Sequence, residues 1–279
     1  MLNVSPKYRR PLSSKQVSLL RLVFKYRFIS VDLLAEILGR DRSSVYENLY
    51  VLVKQEYIAK RYDNTYRLRQ RPACYCLATK GVRYLRENTD ISQKALRNMY
   101  KNKRMNEEHI DKCLLVMKIA LTLNKQANNA FDIATKYELT DEEFFLRPLP
   151  DLYLSRKDIK SGKQQDSKQE EDEHFDYTLD IFEPNLPTWI LRKRLRAYQD
   201  HCDEAELENG ETYPYVLLVA HNDSTERRLL RLIENSLQDF ESYTTTVERL
   251  LDPENIHRPV WMDVFAEEDE DGEIELKGL

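Results

Sequence analysis

Apolar residues first recur at helical spacing at Val17, Leu20, Val23 and Phe24. These steps of three and four place them on one helix face, with Ser13-Ser14 positioned to cap it. "RFIS" (27–30) gives a short extended step, and Ser30 can cap a second helix bearing Val31, Leu34, Ala35 and Leu38. Gly39 ends that helix, where positive φ is cheap for glycine. Gly39-Arg40-Asp41-Arg42 then turns into a third helix, 43–55, capped by Ser43 or Asp41 and striped by Val45, Leu49, Leu52 and Val53. There the period drops to two. "YIAKRYD" and "PACYCLAT" alternate around "DNTYRLRQR", which predicts a hairpin with Arg67, Arg69 and Arg71 on or near its tip. Thr79 is placed to cap a helix through Leu85, and 90–104 reads as a basic connector helix.

The second half continues with a helix over 106–125, whose Ile110, Leu114, Met117 and Leu121 share a face; His109 reads as a packing residue. Strands follow at "AFDIATKYEL", "LPDLYLS", "FDYTLDIF", "YPYVLLVAH" and "RPVWMDVFA", with helices at 188–201 and 224–240 between them. Alternation of this kind predicts a mixed sheet flanked by helices, an α+β chain. Residues 156–174 are polar enough to predict a mobile loop, and 266–279 an acidic, disordered tail. The expected division is therefore 1–105, 106–265 and the tail.

Charge sharpens this division. The net charge of −5 over 279 residues conceals 23 Lys/Arg against 8 Asp/Glu in residues 1–105, a net of +15, and 20 against 40 thereafter, a net of −20. A basic module for a polyanion joined to an acidic module with another task accounts for that asymmetry; mutual neutralisation of the halves is the plainer alternative. No apolar run approaches the roughly 18 residues that span a bilayer. The start, MLNVSPKYRRPL, lacks the apolar core of a signal peptide, so a cytosolic location is expected. Cys74, Cys76, Cys113 and Cys202 lack metal-site spacing and read as buried thiols in a reducing compartment.

The third helix carries Arg42, Ser44, Tyr46, Glu47, Asn48 and Lys54 opposite its apolar stripe, with Arg40 and Ser43 at its start. Short polar groups, an amide and cations gathered toward a helix N-terminus suit base edges in the major groove, with neighbouring cations on phosphate. Three helices and a basic hairpin predict a winged helix-turn-helix, with Arg67, Arg69 and Arg71 on phosphates. An amphipathic helix of a small bundle would explain the stripe but not the basic hairpin.

The order of "CYCLATKGVRYL", "EEHIDKCLLVMKIAL", "LPDLYL", "YTLDIF", "LRKRLRAYQDH" and "YPYVLLVA" resembles the replication-relaxation family of plasmid and mobile-element DNA-binding proteins, over roughly residues 14–265. The resemblance implies double-stranded DNA as partner, a role in replication or relaxosome function, and a second half similar to a restriction-endonuclease core of the PD-(D/E)xK type. In that core Pro150-Asp151 matches the first element and Asp180 the second, two carboxylates able to hold Mg²⁺. The lysine two residues on is replaced: the sequence reads Asp180-Ile181-Phe182. Arg194, followed by Tyr198, stands where the family's helix carries lysine, and Lys193 is one step off, about 100° around the helix. Arginine does not readily give up its proton. Acidic residues Glu171, Asp172, Glu173, Asp176 and Glu183 would also repel a DNA backbone. The expectation is a degenerate, non-catalytic domain that needs no metal or cofactor, with Asp151 and Asp180 as the pair that would hold a metal weakly if one binds, and that serves dimerisation or a protein partner. The rivals are a Mg²⁺-dependent nuclease using Asp151, Asp180, Lys193 and Arg194, and a transcription regulator with the same DNA module.

Overall fold

The computed structural model describes residues 11–156, 176–205, 212–234, 240–266 and 276–278. They fall into two compact units, one running to Lys118 and including Tyr137–Asp141, the other comprising Ile119–Lys136 and Glu142 onward.

In unit 1, α1 (Ser14–Tyr26) starts at a capping box in which Ser13 and Gln16 satisfy each other's backbone N–H. β1 (Ile29–Ser30) leads into α2 (Val31–Leu38), capped by the Ser30 hydroxyl and stopped at Gly39, φ 56°. α3 (Arg42–Lys54) buries Val45, Leu49 and Leu52. β2 (Ile58–Arg61) and β3 (Cys74–Leu77) pair antiparallel, Ile58 opposite Leu77, and β1 adds to the other edge of β3. The connection between β2 and β3, expected as the tip of a hairpin, contains a helix. Asp63 caps a short helix, α4 (Asn64–Leu68), because the Tyr66 ring it carries is buried against Phe28, Cys74 and Cys76. α5 (Thr79–Asn88) also differs at its start: Ala78 occupies the cap position and Thr79 is already helical. The expected helix over 90–104 is one α-turn, α6 (Gln93–Leu96), followed by 3₁₀ turns through Arg104. α7 (Glu107–Gln126) contains the division between the units.

Among the described residues, unit 2 is built on a seven-stranded mixed sheet in the order β10 (Leu276–Lys277), β9 (Trp261–Asp263), β8 (Ser242–Thr246), β7 (Tyr215–Ala220), β6 (Tyr177–Phe182), β5 (Leu152–Arg156) and β4 (Phe131–Thr135). β4 (Phe131–Thr135), β5 (Leu152–Arg156) and β6 (Tyr177–Phe182) form an antiparallel meander. α8 (Thr188–Glu204) crosses over to β7 (Tyr215–Ala220), which lies parallel to β6. α9 (Asp223–Glu234) then crosses to β8 (Ser242–Thr246), parallel to β7. α10 (Val247–Leu251) precedes β9 (Trp261–Asp263), antiparallel to β8. Leu191, Leu195 and Tyr198 of α8 and Leu229 and Ile233 of α9 pack on Val216, Leu218 and Ala220 of β7. β6 and β7 are buried almost throughout, as strands inside such a sheet must be.

Two further expectations meet the structure only in part. Arg156 of the expected mobile loop belongs to β5, while 157–174 lie outside the described residues. Within the expected disordered tail, Leu276–Lys277 form β10, paired with β9, and the Lys277 ammonium bonds Asp263 at 2.9 Å; 267–275 and 279 lie outside the described residues.

Candidate functional site

In unit 1 the Asp41 carboxylate accepts the backbone N–H groups of Ser43 and Ser44, at 2.8 and 3.2 Å, and so fixes where α3 begins. The stripe of α3 faces the core, which turns Arg42, Ser43, Ser44 and Tyr46 to solvent, along with Arg40 just before the helix and Lys54 at its end. Arg42 Nε lies 2.9 Å from the Asp32 carboxylate, yet its side chain stays 71% exposed. Asn48 is half-buried, and its amide nitrogen donates back to the Ser44 carbonyl at 2.7 Å.

The basic residues after β2 separate into two kinds. Arg67 and Arg69 are exposed. Arg71, expected beside them, instead turns inward. Its guanidinium lies 3.2 Å from the Glu107 carboxylate, bonds Asp111, and sits over the Tyr66 ring. The cause is α4, whose buried Tyr66 donates to the same Glu107 at 2.6 Å and draws this stretch onto α7. His109 packs its ring edge-on against Phe28.

Sequence reasoning missed Tyr50, Lys60 and Tyr62. Tyr50 lies four residues after Tyr46 on the exposed side of α3, a spacing that the sequence does contain. Lys60 and Tyr62 join them only through the placement of β2 beside α3, with Lys60 Nζ 5.8 Å from the Tyr46 ring centroid and 5.2 Å from that of Tyr62.

In unit 2 the strand order brings Asp151 and Asp180 together. Asp151 immediately precedes β5 and Asp180 lies on β6; both are buried. The Asp151 N–H donates to Asp180 Oδ1 at 3.3 Å, and the Ile181 N–H donates to Asp151 Oδ2 at 3.1 Å. Asp180 Oδ2 accepts from Arg194 Nε and, at 2.9 Å, from the Tyr198 hydroxyl. Arg194 also donates to the Pro148 carbonyl and lies over the Tyr198 ring. Burial works against the charge on Arg194, but Asp180 outweighs it and holds the guanidinium protonated. Burial, reinforced by Asp180, pushes the Tyr198 hydroxyl well above its ordinary pKa.

The lysine that reaches a carboxylate is not Lys193, which is exposed on α8. It is Lys136, whose Nζ lies 2.8 Å from Asp151 Oδ1. The antiparallel register that sets Thr135 opposite Leu152 sets Lys136 opposite Asp151. Two carboxylates and two cations thus form a cluster of zero formal charge. A Mg²⁺ ion fits it poorly, because each carboxylate already holds a cation in contact and its oxygens accept further hydrogen bonds. Among the described residues no group of three or more His, Cys, Asp or Glu is arranged to hold a metal ion.

No family model and no curated protein matches the chain. Among solved structures, restriction endonuclease FokI aligns over 88% of this chain and 45% of its own, at 13% identity and a TM-score of 0.33. FokI bound to DNA aligns over 92% and 46%, at 12% identity and a TM-score of 0.30. The chain therefore spans about half the length of that enzyme, and a likeness of this size decides neither fold nor activity. Among the described residues no helix is long and apolar enough to cross a membrane.

Proposed function

We propose that the chain is a sequence-reading double-stranded DNA-binding protein. Unit 1 acts as a winged helix-turn-helix with α3 in the major groove and the β2–β3 connection beside it as the wing. The observation that carries this reading is the solvent face of α3, where Arg42, Ser43, Ser44 and Tyr46 gather in the first turns of a helix whose other face is core. That end of a helix can reach base edges, and the exposed Arg40, Lys54, Arg67 and Arg69 can meet phosphates. The resemblance in element order to replication-relaxation proteins supports a setting in plasmid or mobile-element replication. Unit 2 is an endonuclease-like core that does not hydrolyse DNA and serves self-association or a protein partner. Arg194 and Lys136 support that reading, since they neutralise the two carboxylates that a nuclease would offer to metal.

Selection of bound duplexes from a randomised pool tests the first part. An enriched motif that blurs in Arg42→Ala is expected; a pool that stays random contradicts sequence reading. Supercoiled plasmid incubated with Mg²⁺ or Mn²⁺ should stay intact. Cutting that disappears in Asp180→Ala but survives in Arg42→Ala would overturn the non-hydrolytic reading.

A further inference from the structure

Among the described residues of unit 1, four tyrosines keep much of their surface in water: Tyr46 and Tyr50 are 44% exposed, Tyr62 50% and Tyr100 46%. Tyr46, Tyr50 and Tyr62 are not scattered. Lys54 Nζ lies 5.3 Å from the Tyr50 centroid, and Tyr50 stacks on Tyr46 at 6.5 Å with 27° between the planes. Lys60 then bridges Tyr46 and Tyr62. Rings and ammonium groups so form one continuous row across α3 and β2. At Tyr46 and Lys60, in its middle, the row borders a cleft of about 430 Å³ that Arg42, Glu47, Pro72 and Tyr75 also line.

A duplex shows proteins the edges of its bases, whereas a ring face gains most from the face of an unstacked base. The ring-to-ring step from Tyr50 to Tyr46, 6.5 Å, also exceeds the ~3.4 Å rise per nucleotide of one strand of B-DNA. The row therefore matches an extended strand better than a stacked one. Its two lysines supply the cations that a backbone requires, and the cleft falls in the size range of sites that hold a small ligand such as one nucleotide.

We infer that this face captures single-stranded DNA, with unpaired bases stacked on Tyr50, Tyr46 and Tyr62 and phosphates against Lys54 and Lys60. The inference rests on the reading of unit 1 as a DNA module and adds a second substrate class to the same surface. It gives a protein bound at a duplex site the means to hold a strand once that duplex opens.

The test is fluorescence anisotropy of the full chain with a labelled 20-nucleotide oligothymidylate and, separately, with a selected duplex. Oligothymidylate binding should weaken ~5- to 150-fold for each of Tyr46→Ala, Tyr50→Ala and Tyr62→Ala, the range set by base–aromatic stacking. The Tyr→Phe variants should bind as wild type, because the ring is kept. Circular dichroism confirms that each variant is folded. Wild-type protein that binds duplex but not oligothymidylate would overturn the inference and leave the duplex reading standing. Wild-type protein that binds neither would remove both. Alanine variants that bind the single strand as tightly as wild type, or phenylalanine variants as weak as the alanine ones, would also overturn it.

Discussion

Replacing Arg194 with Met removes one half of a buried ion pair and leaves the other behind. Both side chains are about 10% exposed, and Asp180 would keep only the Tyr198 hydroxyl and the Asp151 N–H as donors. Breaking such a pair from one side costs about 3–5 kcal/mol, and the two surviving donors place this case near the lower end. With a urea slope of about 1–3 kcal/mol per molar, the midpoint should fall by about 1–3 M. The assay reads the correct unit by itself, because both tryptophans, Trp189 and Trp261, belong to unit 2. Removing both partners in Arg194→Met/Asp180→Leu should recover much of the loss, since an apolar pair of similar size is often as stable as a buried ion pair. The recovery is incomplete because the buried Tyr198 hydroxyl and the Asp151 N–H both lose Asp180 as an acceptor, and a buried group left unsatisfied costs about 1–3 kcal/mol. An Arg194→Met midpoint equal to wild type, or a double variant as unstable as the two single losses added, would refute the view that these charges are locked on each other.

Other perturbations test unit 1. Gly81→Ala should destabilise it by about 1–3 kcal/mol or more, because the added Cβ would fall 2.1 Å from the Tyr57 carbonyl oxygen; an unchanged melting temperature contradicts that packing. Arg67→Ala and Arg69→Ala should each flatten the salt dependence of duplex binding by about 0.9 in log–log slope, whereas Arg71→Ala should lower stability and leave the slope alone; a salt titration of the three variants separates the roles. Burial pushes the Cys74 and Cys76 thiols from near 9 up to about 11. The unfolded chain therefore loses these protons first, and stability should fall as pH rises from about 9 to 11. Urea midpoints followed by circular dichroism should fall less steeply with pH in Cys74→Ala/Cys76→Ala than in wild type; an equal slope removes the thiols from the effect.

The helices of unit 1 were legible because their signals are local. Ser13, Ser30 and Asp41 each sit one residue before a helix and each satisfies a backbone N–H, and Gly39 has the positive φ expected of it. α4 was not legible: five residues give no period, and it is anchored by a Tyr66–Glu107 contact 41 residues apart. β8 escaped because Ser-Tyr-Thr-Thr-Thr looks polar. Its Thr244 and Thr245 are fully buried between neighbouring strands, and Thr244 donates to the Leu218 carbonyl. At the carboxylate cluster the sequence pointed to Asp151, Asp180 and Arg194, with Lys193 as the candidate lysine and Lys136 not considered. The helical neighbour was visible in one dimension, whereas the partner of Asp151 follows only from the register of β4 on β5. The aromatic row was half visible in the same way, Tyr46 and Tyr50 by helical spacing, Lys60 and Tyr62 only by the packing of β2.

The most direct measurement is the ratio of affinities for a selected duplex and a scrambled one, by anisotropy at fixed salt, in wild type and in Arg42→Ala. If the N-terminal end of α3 reads bases, the variant should lose about 1–3 kcal/mol on the selected duplex and much less on the scrambled one, so the ratio collapses. A ratio that is the same in both proteins would take α3 out of the groove.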